Sequence, residues 1–461
     1  MSQDLNTTDP DLKSWIDAAN AKDAAYPIQL LPWGAFHRRG STEEPRLGVP
    51  IGDRILELRK VVEAGVMKGV DPTLGEALCA TSLNPLLELG PAAWSAARTA
   101  ISEILRHDCP LLRDSNRWRK RAMVPLESAV FDLPARIGSY TDFYASINHA
   151  TNVGAMFRPD QPLMPNWKHL PVGYHGRASS IVVGGTPVRR PMGQIVPPAE
   201  PKAPAKTTRK TTAKTAPAAA EEPVPVFGPV RALDYELELG LIVGLGNALG
   251  TRIPIAEARR HMFGVVLVND WSARDVQRWE YQPLGPFNGK NFATSISPLV
   301  IQMEALAPFE TAPPKRAKGD PKPLDYLHWK DDFGLDITLE VLLSSAAMRE
   351  KGTEPMVVAS TSSTELYWTF AQMLAHHTST GCNLQPGDLI ASGTISGGDI
   401  AETGSLLERT KRGEKPIKLP DGTTRAFLQD GDEVILRASC AKRGARSITL
   451  GECRGIVLPA E

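Results

Sequence analysis

The chain has 461 residues, 42% of them hydrophobic and 23% charged, the composition of an ordinary globular protein with room for two or three cores. Lys+Arg and Asp+Glu both number 52, so a formal net charge of zero gives no reason to expect a nucleic acid or a membrane surface as the main partner. The five cysteines (Cys79, Cys109, Cys382, Cys440 and Cys453) are scattered, odd in number and without a C-x-x-C pair, which argues against a disulfide framework and a zinc site.

The N-terminal stretch MSQDLNTTDPDLKSWIDAANAKDAAYP is polar and acidic, so no signal peptide is expected. No apolar run approaches the length of a membrane span, and a cytoplasmic protein is expected. Residues 47–59 (LGVPIGDRILELR) read as short strands broken at a Gly-Asp turn. Residues 60–108 turn helical, and PAAWSAARTAISEILRH has apolar residues at helical spacing. This first part, 1–134, carries no cluster of catalytic residue types and is expected to be a supporting or dimerising domain. Its last stretch, DSNRWRKRAMVPLE, reads as a basic connection.

From about residue 135 the character changes. SIVVGG, LELGLIVG, FGVVLVND, ISPLVIQ, DITLEVLL and DEVILRA are short, rich in β-branched residues and bounded by turn residues, which predicts a strand-dominated domain over 135–461. Residues 195–227 interrupt it with Pro, Ala, Lys and Thr. Such a segment buries too little apolar surface to offset its ordering entropy, so a flexible surface insertion is expected. APPKRAKGDPKP (312–323) reads the same way.

Four segments carry residue types suited to chemistry. SYTDFYASINHATNVG (139–154) sets Asp142, Tyr144 and His149 close together; an Asp and a His there suit a metal ligand and a general base, and equally a capped surface loop. In ALDYELELGLIVG (232–244) period-two alternation sends Glu236 and Glu238 to one face of a strand. Two adjacent carboxylates in an apolar strand repel each other unless a hard cation such as Ca²⁺ or Mg²⁺ sits between them; an amphipathic strand with both in water is the alternative. In FGVVLVNDWSARDVQRWEYQPLGPFNGKNFATSISP (263–298) an apolar strand ends at Asp270. Arg274, Gln277, Tyr281, Lys290 and Thr294 follow, among them groups able to hold a developing negative charge. LQPGDLIASGTISG (384–397) offers Thr394 among glycines, a setting for a carboxylate ligand or simply a tight turn, and Glu408 follows in GSLLERT.

Together these segments resemble the fumarylacetoacetase family. TDFYASINHATNVGAMFR, LMPNWKHLPVGYHGRASSIVVGGTPVRRPMGQ, LDYELELG, NDWSARDVQRWEYQPLGPFNGK, ASGTISG and FLQDGDEV carry the resemblance, which runs from YPIQLLPWGAF to GIVLPA and skips the insertion. It implies a mostly β (α+β) fold: a small N-terminal β-barrel-like domain and a larger mixed β-sandwich roll. It also implies a homodimer acting on a small β-diketo acid and holding Mg²⁺ and/or Ca²⁺. Carried over by position, Asp142, Glu236, Glu238 and Asp270 would be metal ligands, with Lys290 and Thr294 in the same region. His149 would be the general base and Glu408 its orienting carboxylate. Arg274, Gln277 and Lys290 would hold an oxyanion. Tyr144, Arg158, Tyr174, Gln277, Tyr281 and Thr394 would touch substrate. The implied reaction is hydrolysis of the carbon–carbon bond of 4-fumarylacetoacetate; relatives with the same cage, acylpyruvate hydrolases and oxaloacetate decarboxylases, are the nearest alternatives.

Overall fold

The computed structural model describes residues 6–197 and 224–461. The expected small N-terminal β unit is a five-stranded antiparallel sheet. Arg46–Ile51 and Arg54–Glu57 form the hairpin predicted around Gly52-Asp53. The helix Pro91–Leu105 starts with proline in its first turn, where no backbone N–H is needed, and buries Trp94, Ala97, Ile101 and Leu105 at helical spacing. The stretch read as a basic connection is instead structural. Asn116–Ala122 is a helix, and Met123–Pro125 pairs with Arg54–Leu56 as an edge strand. Its charges mask a strand only three residues long.

The larger unit is a sandwich of two sheets. One runs in the order Gly173–Gly176, Tyr140–Phe143, Leu389–Ala391, Leu237–Val243, Met262–Asp270, Thr294–Ile296, Ile181–Val183, with Ile301–Gln302 also paired to Met262–Asp270. It is mixed: Tyr140–Phe143 lies parallel to Leu389–Ala391, and Thr294–Ile296 parallel to Ile181–Val183. The other sheet runs Met356–Ser362, Thr338–Ser344, Glu433–Cys440, Ile448–Leu458, Val188–Arg189. Leu239, Leu241, Val265 and Leu267 pack with Leu339, Val341 and Leu436 in the core between the sheets. The opposite face of the first sheet (Tyr140, Ile242, Val266, Val268, Leu389) packs with Leu47, Val49, Trp94 and Ile101 of the N-terminal unit. Both faces are therefore covered, which explains why Leu237–Val243 and Met262–Asp270 are buried along their whole length.

Most of the expected 195–227 insertion lies outside the described residues. Its ends do not: Met192–Ile195 pairs antiparallel with Val226–Pro229, so residues 195 and 226–227 belong to strands rather than to a loop. The 312–323 stretch lacks regular structure but is pinned. The Arg316 guanidinium lies 4.4 Å from the centroids of both Tyr367 and Trp368 and donates to Tyr367 Oη at 2.7 Å, while Asp320 pairs with Lys168.

Candidate active site

Period two places the acidic residues. In the central strand Leu239 and Leu241 face the inter-sheet core and Ile242 the opposite one, so Glu236 and Glu238 share the face of Ile242. Val266 and Val268 share that face, so Asp270, two residues further along, is placed on it too; Tyr140 places Asp142 in the same way. The strands Tyr140–Phe143, Leu237–Val243 and Met262–Asp270, the first separated from the second by Leu389–Ala391, thus bring four carboxylates to one place. Asp142, Glu236, Glu238 and Asp270 each offer an oxygen within 4.8 Å of the others, all buried.

Such a cluster is electrostatically incomplete. Lys290 Nζ bonds Glu236 and lies 2.7 Å from Asp270 Oδ2. Arg274 Nη1 donates to Glu236 Oε1 at 2.7 Å. Burial raises the Glu236 pKa, but Lys290 and Arg274 outweigh that and hold it well below the usual carboxylate range. Among the described residues no cation is bonded to Asp142 or Glu238, and the charge of Lys290 offsets their burial only in part. Burial first, then Asp270, push Asp142 far up; burial and then Asp142 and Asp270 do the same to Glu238. Asp142 Oδ1 and both Glu238 oxygens are buried without a hydrogen-bond partner. Orphaned carboxylate oxygens facing one point are the donor set of a hard divalent cation, so the residues fit one. Asp270 and Glu236 overcome the burial of Lys290 and raise its pKa, so in the metal-free protein a cationic side chain stands beside the cluster. Thr294 Oγ1 donates to Asp270 Oδ1 at 2.9 Å and Tyr174 Oη to Asp270 Oδ2 at 2.7 Å, both fixing that carboxylate.

His149 sits in the helix Ile147–Phe157, whose N-cap Ser146 accepts the His149 N–H. Its Nδ1 lies 2.7 Å from Glu408 Oε2, and both side chains are buried. Glu408 also accepts from Asn152 at 2.9 Å, Ser396 at 3.0 Å and Ser405 at 2.8 Å. Burial raises its pKa, but the charge and bond of His149 and the Asn152 and Ser405 bonds outweigh it, and the group stays below its ordinary value. A carboxylate accepting at Nδ1 fixes the Nδ1–H tautomer and leaves the Nε2 lone pair for the cavity that His149 lines.

That cavity, about 750 Å³, is the common ground of the sequence-predicted residues. Asp142, His149, Glu236, Arg274 and Lys290 form its polar floor and wall. Tyr144, Arg158, Tyr174, Gln277, Tyr281 and Thr394 line it as well. The Tyr144 ring stands edge-on to His149, with centroids 5.3 Å apart. Gln277 Oε1 accepts from Arg274 Nη1 at 3.2 Å, which leaves the Gln277 amide donors unspent. Glu238, Asp270, Thr294 and Glu408 stand behind these residues rather than among the lining.

Sequence reasoning missed the supports. Asp234 is fully buried and accepts from Arg274 Nε at 2.9 Å and from the backbone N–H groups of Leu406 and Leu407. It precedes Glu236 by two, so the same alternation would have found it. Ser405 and Glu408 have the S-x-x-E spacing of a helix cap, a signal available in GSLLERT. Asn152 and Ser396 carried no signal.

Two family descriptions match the chain: "Fumarylacetoacetase N-terminal" over residues 29–134 and "Fumarylacetoacetate (FAA) hydrolase C-terminal" over residues 139–457. Among curated proteins, the fumarylacetoacetase of Rattus norvegicus is 47% identical over 95% of this chain and 98% of its own length. The fumarylacetoacetase of Homo sapiens is also 47% identical over 95% and 98%. That of Caenorhabditis elegans is 47% identical over 98% of this chain and all of its own.

Proposed function

The chain belongs to the fumarylacetoacetase family, and we infer that it is a hydrolase that cuts the carbon–carbon bond of 4-fumarylacetoacetate to give fumarate and acetoacetate, the step that ends tyrosine and phenylalanine breakdown. The observation that carries the mechanism is the His149–Glu408 pair, which opens on the same cavity as a four-carboxylate cluster flanked by Arg274 and Lys290.

Asp142, Glu236, Glu238 and Asp270 would hold a divalent cation, Mg²⁺ or Ca²⁺. When bound, it supplies Lewis-acid polarisation of the substrate's diketone oxygens. His149 Nε2 takes a proton from water, and the hydroxide adds to the carbonyl beside the fumaryl arm. Arg274, Lys290 and the amide donors of Gln277 stabilise the oxyanion. As the carbonyl re-forms, the carbon–carbon bond breaks and its electron pair leaves on the acetoacetate half. The His149 Nε2 proton then goes to that carbon. Glu408 holds the imidazole throughout and needs no proton of its own. Tyr144, whose phenol burial keeps neutral, and Arg158, Tyr174, Tyr281 and Thr394 suit contacts to the substrate's oxygens.

Residues 1–134 are read as the supporting domain and 135–461 as the catalytic one, in a cytoplasmic homodimer. All five cysteines are unpaired, which suits a reducing compartment. No helix among the described residues is long and apolar enough to cross a membrane.

The test is loss of the ultraviolet absorbance of fumarylacetoacetate on adding purified protein, with EDTA or with Mg²⁺ or Ca²⁺. Metal-dependent loss yielding fumarate and acetoacetate is expected, and His149→Ala is expected to abolish it while still binding metal. Absence of turnover with metal present would refute the substrate.

A further inference from the structure

The turn that follows the helix Leu406–Arg409 runs against backbone preference. Among the described residues only three non-glycine positions have positive φ, and two are adjacent: Lys411 at 50° and Arg412 at 62°, with Gly413 at 88° completing a run of three. Residues with a Cβ visit the left-handed region singly, because the Cβ crowds a carbonyl oxygen there. A run persists only where its surroundings over-determine it. The hydrogen bonds that do so are visible. Lys411 N donates to Glu408 O at 3.0 Å, Arg412 N to Leu407 O at 2.8 Å, and Gly413 N to Thr410 O at 3.1 Å.

The consequence is the position of Arg412. It lines the substrate cavity, and its Nη1 donates to Met156 O at 3.3 Å, near the end of the helix that carries His149. Met156 lies seven residues beyond His149 (156 − 149), roughly 10 Å along a helix axis. Arg158, the C-cap of that helix, lines the cavity too. Two guanidinium groups therefore stand at the helix end remote from the Asp142 strand, where no carboxylate of the acidic cluster lies.

We propose that Arg412 is a substrate-binding and specificity-determining residue, which receives the carboxylate ending the fumaryl arm and so selects diacids over monoacids. The proposal rests on the function inferred above. The diketone is drawn to the carboxylate cluster and its cation. The fumaryl arm is unsaturated and trans, so its carboxylate stands at a fixed reach from the attacked carbonyl. A guanidinium matches that planar anion with two parallel N–H donors. An ordinary surface turn gains nothing from three left-handed residues in a row, whereas a binding residue held over a cavity accounts for them.

The experiment compares wild type with Arg412→Gly, which removes both guanidinium and strain, and Arg412→Gln, which removes the guanidinium and its charge but keeps the Cβ and the backbone strain. Two substrates are used: 4-fumarylacetoacetate and an acylacetoacetate whose acyl arm ends without a carboxylate. For the diacid KM should rise roughly 10-fold in both variants with kcat nearly unchanged, as loss of one charge-assisted contact predicts. The monoacid KM should not move. Arg412→Gly should also melt higher, by on the order of 1 °C, because glycine relieves the left-handed backbone. Unchanged diacid KM in both variants, or an equal rise for both substrates, overturns the proposal. A wild type that turns over neither compound refutes the inferred function instead. The subsite is then read by calorimetric titration with fumarate, where weaker binding to both variants supports it and equal binding overturns it.

Discussion

Asp234 and Arg274 are locked together beneath the cavity. Arg274 Nε donates to Asp234 Oδ2 at 2.9 Å and Nη2 lies 2.8 Å from the same oxygen, while the Asp234 carboxylate also accepts the N–H groups of Leu406 and Leu407. One side chain thereby fixes the guanidinium proposed to stabilise the oxyanion and the start of the helix that presents Glu408.

From this, Asp234→Asn should lower kcat by roughly 10-fold or more while bound metal stays at its wild-type level, the usual cost of losing a support behind a reacting group. The asparagine keeps the volume and an acceptor for the helix N–H groups but loses the charge that holds Arg274. Steady-state kinetics and metal analysis on one preparation decide it. A lowered Tm with unaltered kcat would reduce Asp234 to a structural residue.

The acidic cluster should oppose its own fold without a cation. Glu238 is buried, has two unpartnered oxygens and faces two other carboxylates. Glu238→Gln puts a neutral isostere where burial and two neighbouring carboxylates oppose ionisation, so the metal-free variant should melt above metal-free wild type. Added Mg²⁺ or Ca²⁺ should raise Tm in wild type, by linkage to binding in the native state alone, and much less in the variant. Differential scanning fluorimetry with EDTA and with each cation measures both signs. A metal-free variant less stable than wild type would mean that Glu238 has a protein partner instead.

Much of this architecture was legible in the sequence where one local rule governed it. The period of two in LELGLIVG, the turn in VPIGDRI and the apolar spacing of the helix Pro91–Leu105 each agree with the tertiary context. The Glu236–Glu238 alternation likewise led to one face of a buried strand. Elements whose cause is remote were not. Met123–Pro125 is a strand because Arg54–Leu56 lies beside it, and Arg316 is ordered because Tyr367 and Trp368 clasp it. Asn152 and Ser396 reach Glu408 from separate segments, a meeting that no local pattern records.

Gly393 separates the strand Leu389–Ala391 from Thr394 and admits no side chain. Its φ is 75°, and a Cβ there would stand 2.1 Å from Phe143 O, on the strand that carries Asp142. Gly393→Ala must therefore push Tyr140–Phe143 away from its neighbour as well as strain its own backbone, at a cost of about 1–3 kcal/mol for the strain alone. Lower Tm together with weakened metal binding is expected, because Asp142 moves with the strand. Unchanged cation affinity in a folded variant would show that the strand end tolerates the shift.

Glu408 makes stability depend on acidity in a known direction. Its folded pKa lies below the ordinary glutamate value because His149 and the Asn152 and Ser405 bonds outweigh its burial. A depressed folded pKa stabilises the native state at pH above the unfolded value, about 4.3, and that contribution disappears as pH falls through the folded value. Glu408→Gln lacks the titration. The difference in Tm between wild type and the variant should be largest near neutral pH and shrink steadily below about pH 4.3. The same substitution should cost roughly 10²–10⁴-fold in kcat, since an amide in place of the carboxylate no longer selects the Nδ1–H tautomer of His149. Melting curves taken across that pH range check the first expectation and turnover at neutral pH the second. A Tm difference that grows with falling pH would mean that Glu408 is protonated in the native site.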